Sequence, residues 1–161
     1  MAWKCSILPL AASPPPAVGR PDAYAGEIPT LYVVLRENTP EILADLQAHM
    51  GRTVPEPPAR PKSIVPLPAL PITAAGKVNK PTLRRDAAER AAKESIGALP
   101  AFAGSDIEIT AHDGPGGRIV VTVTLAETTH SDKNLTQVAD RLLSGFPFDH
   151  EIVFRNGETR R

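Results

Sequence analysis

Cysteine is almost missing from this sequence: Cys5 stands alone among 161 residues. That excludes an intrachain disulfide and a zinc site built from several thiolates, and it suits a reducing cytoplasm. Aromatic residues make up only 4% of the chain, so the core has to be small and aliphatic. Neither sign of charge prevails, since 18 Lys and Arg meet 18 Asp and Glu at a pI near 6.9. Binding to a phosphate backbone needs a basic face, and nucleic acid is therefore set aside as a partner. No stretch approaches the roughly 18 uninterrupted apolar residues of a membrane helix, so no membrane span is expected. The opening MAWKCSILPLAAS loosely imitates a secretory signal, but Pro9 breaks its short apolar run and SPPP follows. A cytoplasmic location is the expectation.

Proline, by contrast, is abundant: 18 residues, each fixing φ and lacking a backbone donor, imply many extended stretches. The length suits one compact domain or two very small ones, and not a large enzyme with its own deep cleft. Residues 1–17 end in a polyproline-like run and read as an irregular leader. EIPTLYVVLR, residues 27–36, is rich in β-branched and aromatic residues and predicts a strand. NTPEILADLQAHMG predicts an amphipathic helix with Thr39 as N-cap, Pro40 at the first position and Gly51 past the last turn, its apolar stripe formed by Ile42, Leu43, Leu46 and Met50. Residues 53–61 read as an extended loop, and residues 62–70 as a short edge strand, because Pro66 and Pro68 cannot donate to a ladder.

TLRRDAAERAAKES predicts a further helix, with Asp86 to Arg90 and Glu89 to Lys93 spaced for ion pairs and Pro81 near its start. GALPAFAG, residues 97–104, reads as a linker. Beyond it, two alternating segments flank GPGG as a hairpin, DKNLTQVADRLLSG places Leu135, Val138, Leu142 and Leu143 on one helical face, and DHEIVFR is a last strand. The order ββαβ describes a small α+β layer with one helix on a three-stranded sheet.

The segment LPITAAGKVNKPTLRR, residues 70–85, sets a Gly-Lys pair in a short loop between an apolar strand and a charged helix. An ammonium on a four-carbon stem is a mobile point charge able to meet a carboxylate and a phosphate together, and Gly76 lets the backbone bend without a Cβ clash. The pair is not a P-loop, because Val78 follows Lys77 and no glycine lies five residues before Gly76. Taken alone, a Gly-Lys pair is so common that it reads as a solvated surface lysine.

The wider segment resembles the terminal motif of the adenylate-forming superfamily of acyl-CoA synthetases, adenylation domains and luciferases, L-P-x-T-x-x-G-K followed by K-x-x-L-R. Leu70, Pro71, Thr73, Gly76, Lys77, Lys80, Leu83 and Arg84 match it. Upstream, Val18, Gly19, Pro21, Asp22, Gly26 and Glu27 match the family's V-G-x-P-D-x-x-x-G-E run. The resemblance covers about residues 17–92. It implies a small mobile lid domain over residues 18–96, incomplete at its N-terminus, with a short sheet and flanking helices; with the ββαβ module read from the patterning of residues 97–161 as an appended unit, the expected fold class is α+β. The resemblance also implies a two-step reaction in which a carboxylate attacks the α-phosphate of ATP and the thiol of CoA then takes the acyl group, chemistry of the kind used in fatty acid metabolism. In that scheme Lys77 is the catalytic residue, entering the active site of another domain, and Gly76 and Lys80 are the cofactor-binding residues.

The large nucleotide-binding domain of that family, where its magnesium would sit, has no counterpart in this sequence, nor has the glycine-containing loop expected before AVGRPD. The expected partner is a separately encoded N-terminal nucleotide-binding domain, and neither ATP nor CoA is expected to bind tightly to this chain alone. A non-catalytic protein-interaction module, or a decayed remnant of such a ligase, stays open as the alternative. His49, His112, His130 and His150 show no H-x-x-x-H spacing, and no metal is expected. The basic run Lys77, Lys80, Arg84, Arg85, Arg90 and Lys93 is interleaved with acids and reads first as a solvated face; the functional reading is that part of it steers CoA phosphates or the facing domain.

Overall fold

The computed structural model describes residues 15–126, 132–155 and 159–160. Most of the expected leader, residues 1–14, lies outside them. Contacts gather the described residues into two compact units, one of residues 15–20 with 28–84, the other of residues 21–27 with the described residues from 85 onward.

A three-stranded sheet, most of it in the first unit, is built on β1 (Ala17–Asp22), β2 (Gly26–Val33) and β3 (Ser63–Pro66), in the order β1-β2-β3. β1 is a strand where the sequence suggested only an approach to one. The reason lies in the turn: the Asp22 carboxylate accepts the N–H groups of Tyr24 and Ala25 at 3.0 and 2.8 Å, and Gly26 takes a φ of +74° that a Cβ would oppose. The P-D-x-x-x-G run is thus a hairpin signature. β2 is central and buried on both faces, with Thr30, Leu31, Tyr32 and Val33 all enclosed, which accounts for its nearly continuous apolar character. It stops at Val33, earlier than the composition of residues 34–36 suggested.

β3 runs parallel to β2, pairing Thr30 with Ser63 through Val33 with Pro66, and the Thr30 and Ser63 hydroxyls meet at 2.8 Å. It is the sheet edge expected from its proline. The connection between them is α1 (Pro40–Thr53), completing a βαβ unit. Thr39 caps α1, its hydroxyl accepting from the Ile42 N–H at 3.3 Å, worth about 1 kcal/mol relative to alanine. Leu46 lies buried with Leu31 and Val33, with Met50 and Ile64 packed beside them. Gly51 does not end this helix. It keeps a negative φ, and the helix continues to Thr53, where the Val54 N–H reaches the Met50 carbonyl at 3.1 Å. On the opposite face of β2, the Tyr32 hydroxyl donates to the Leu83 carbonyl at 3.2 Å.

α2 (Lys80–Gly97) carries both expected ion pairs, Arg90 to Asp86 at 2.7 Å and Lys93 to Glu89 at 2.6 Å. The compact division falls within it, at Arg84 and Arg85. The second unit contains β4 (Ile107–Asp113), β5 (Ile119–Leu125), α3 (Asp132–Leu143), β6 (Asp149–Phe154) and the short β7 (Thr159–Arg160). Its sheet order is β4-β5-β6-β7, with β4 and β5 antiparallel, β5 and β6 parallel across α3, and β7 an added antiparallel strand that the sequence reading did not include. The ββαβ order holds, as does the α+β class. Its core gathers Ala88, Ala92 and Ile96 of α2, Phe102, the inward residues Ile109, Val121, Val123, Ile152 and Phe154 of the sheet, and Ala139 and Leu143 of α3. Leu135, Val138 and Leu142 pack against it, as the helical spacing required.

Candidate functional site

Gly76, Lys77 and Lys80 all fall within residues 71–84 of the first unit, on one hairpin loop and the helical turn that follows it. A bridge between Ile72 and Val78 closes the loop. Inside it Thr73 makes three contacts. Its N–H donates to the Lys77 carbonyl at 2.7 Å, its carbonyl accepts from the Gly76 N–H at 2.9 Å, and its hydroxyl accepts from the Lys77 N–H at 3.3 Å. Residues 73–76 therefore form a β-turn, and Gly76, at φ +74°, supplies the left-handed residue that brings the chain back into the bridge.

The second anchor is Asn79. Its N–H donates to the Pro71 carbonyl at 2.8 Å, and its side chain caps α2 by accepting from the Thr82 N–H at 3.3 Å. Lys80 and Pro81 then occupy the first two positions of α2, where a missing proline N–H costs nothing, and Leu83 is buried one turn on. Two rigid attachments thus flank one exposed lysine. Lys77 and Lys80 are both exposed, and no side-chain hydrogen bond or ion pair holds either ammonium among the described residues. Such a loop can carry a mobile cation out of the domain in a defined direction without first breaking a bond to it.

Thr73 and Asn79 are the residues whose importance the sequence reading did not draw out. Threonine three residues before a glycine, and asparagine before Lys-Pro at a helix start, are the local signals for each. Replacing Gly76 by alanine is expected to lower stability by about 1 kcal/mol. Nothing lies within 4 Å of the position a Cβ would take, so the cost is purely backbone strain. Urea unfolding measures it, and an unchanged midpoint would show that the turn re-forms without a left-handed residue.

Elsewhere several polar groups are locally paired. His150 Nε2 lies 3.0 Å from Asp140 Oδ1, Arg155 meets Asp106 at 2.6 Å, and Arg85 pairs with Asp113. The Arg155 guanidinium, by hydrogen bond and by charge, holds the Asp106 carboxyl below its ordinary value. A cleft of about 470 Å³ in the second unit is lined by Leu99, Asn134, Gln137, Val138, Arg141 and Leu142, and contains none of the three candidate residues. No group of three His, Cys, Asp or Glu residues suited to a metal occurs among the described residues. No helix among them is long and apolar enough to cross a membrane.

The family described as AMP-binding enzyme C-terminal domain matches residues 16–77, from the start of the first hairpin to the lysine at the loop. Residues 16–77 belong to this family. This chain is similar to marinolic acid–CoA ligase of Pseudoalteromonas sp., with 30% identity over 138 residues, covering 86% of this chain and 21% of that protein. It is also similar to acetyl-coenzyme A synthetase of Streptomyces coelicolor, with 40% identity over 75 residues, 45% of this chain and 11% of that protein. Among solved structures, an acyl-CoA synthetase of Brucella canis is 32% identical over 47% of this chain and 14% of its own, with a TM-score of 0.42. The chain spans about a fifth or less of the length of these relatives. A match over 86% of the chain necessarily runs past Gly97, so the likeness to the first relative reaches into the ββαβ part.

Proposed function

We propose that this AMP-binding C-terminal domain is the lid portion of an ATP-dependent acid–thiol ligase and that Lys77 is the cation it delivers for acyl-adenylate formation. The observation that carries this is the loop itself: Thr73 and Gly76 hold an exposed Lys77 at its end, its ammonium without a bond among the described residues, within the segment that matches the family. In the first step a carboxylate oxygen attacks the α-phosphorus of ATP, a P–O bond to the leaving pyrophosphate breaks, and an acyl-adenylate forms. Negative charge gathers on the phosphoryl oxygens as this happens, and an ammonium brought within reach of both carboxylate and phosphate stabilises it. In the second step the thiol of CoA attacks the acyl carbonyl and AMP departs. Gly76 provides the bend that aims Lys77, and Lys80, on the first turn of α2, adds positive charge on the phosphate side.

The proposed partner is the nucleotide-binding domain of such a ligase, supplied in the same polypeptide or as a separate one. ATP, magnesium and CoA would be held mainly there, and a cytoplasmic setting and a role in fatty acid metabolism belong to the same reading. A marinolic acid–CoA ligase and an acetyl-coenzyme A synthetase among the relatives support a carboxylic acid as acyl donor. A chimera tests the reading: this chain replaces the corresponding C-terminal stretch of the marinolic acid–CoA ligase, and ATP–pyrophosphate exchange is measured with that enzyme's acid. Exchange is expected from the chimera and none from this chain alone. Robust exchange by the isolated chain, or a folded, ATP-binding chimera without exchange, would overturn it.

A further inference from the structure

β4 ends its sheet with no strand beyond it among the described residues. It pairs with β5 through seven consecutive residues without a bulge, and IEITAHD contains neither proline nor lysine, the residues that ordinarily stop an edge from recruiting another strand. Its polarity follows from the ladder. The Ala126 N–H reaches the Asp106 carbonyl and the Gly114 N–H reaches the Arg118 carbonyl, so the even-numbered residues bond inward to β5. Ile107, Ile109, Ala111 and Asp113 therefore turn their N–H and C=O groups to the open edge.

The side chains select what can add there. Even residues Glu108, Thr110 and His112 stand exposed on the outer face, while Ile109 and Ala111 face the core side. A strand adding to this edge must keep that alternation or turn its apolar side to water. The strand itself does so when laid antiparallel about a two-fold axis at Thr110. Glu108 then faces His112 of the second copy, Thr110 faces Thr110, Ile109 faces Ala111, and all four outward-bonding residues on each strand find partners. Slipping the register by two residues either way loses the Glu–His pairing and leaves part of one strand unmatched.

We propose that the chain associates with a second copy of itself through antiparallel pairing of β4, in the register centred on Thr110. An isologous contact of this kind closes on itself and yields a dimer.

Single cysteines in the full chain test it, with Cys5→Ser as background so that the introduced thiol is the only one. In the proposed register residue 110 meets itself in a non-hydrogen-bonded pair with Cα atoms about 4.5 Å apart, within disulfide range. Thr110→Cys is expected to convert to a disulfide dimer under mild oxidation. Glu108→Cys should stay monomeric, because two copies of that position lie about 13 Å apart along the strands. Thr124→Cys, on the neighbouring strand, serves as control. Thr110→Lys puts like charges on the axis and is expected to weaken the dimer at least tenfold in sedimentation, with circular dichroism unchanged. A monomeric chain giving no Thr110→Cys dimer overturns the proposal, as does equal cross-linking at all three positions. A dimer indifferent to Thr110→Lys and uncrosslinked at β4 is built elsewhere and overturns it too.

Discussion

Alanine at position 77 is expected to slow acyl-adenylate formation by on the order of 10²-fold or more, equivalent to about 2.7 kcal/mol of lost transition-state stabilisation. The measurement is ATP–pyrophosphate exchange in the chimeric ligase. The same change is expected to shift unfolding free energy by no more than about 0.5 kcal/mol, as exposed substitutions usually do. That contrast follows from the loop: the backbone of Lys77 carries the contacts with Thr73, which alanine keeps, while its ammonium bonds to nothing among the described residues. The thioester step, started from supplied acyl-adenylate, should be far less affected, because the lid is expected to have carried the loop away by then. A variant that slows neither step makes residues 73–77 a structural turn and ends the delivery reading. One that slows both equally shows that Lys77 does not act in adenylation alone.

How far this site was legible depends on the kind of signal each residue gives. Lys77 and Gly76 stood out because a motif surrounds them, and Pro81 and the i,i+4 ion pairs of α2 are rules of local geometry that structure obeys. Thr39 as a cap belongs to the same class. β1 was not legible in that way: Gly19 and Pro21 are poor strand formers, and what holds the strand is a side chain, Asp22, tying the turn beyond it. Gly51 misled for a related reason. A glycine near a helix end signals a stop only when it takes the left-handed conformation, and whether it does is fixed by the following loop. The parallel pairing of β2 and β3 follows from the intervening helix, but which residues face each other is set by packing on both sides of β2.

The least legible element is the second half of α2. Its buried face is Ala88 and Ala92 with Ile96, and alanines read from sequence as helix formers more than as core. Their size is the point, since small side chains let a helix lie close to a sheet. All three belong to the core of the second unit, together with Phe102, Val121, Val123 and Leu143. Removing them should therefore matter greatly to the ββαβ part. A fragment of residues 85–161 is expected to fold, while one of residues 97–161 loses the burial of an isoleucine and two alanines and uncovers the sheet face beneath them. At about 25 cal/mol per Å² of apolar surface, that is on the order of 3–5 kcal/mol. Small domains have roughly 5 kcal/mol in all, so the shorter fragment should be largely unfolded at 25 °C. Urea titrations followed by circular dichroism compare the two directly. Equal midpoints would mean that α2 contributes nothing to this core and that Gly97 is a true edge of an independent domain. A lower midpoint for the shorter fragment would make α2 the element that belongs to both halves, joining the turn that presents Lys77 to the sheet that follows.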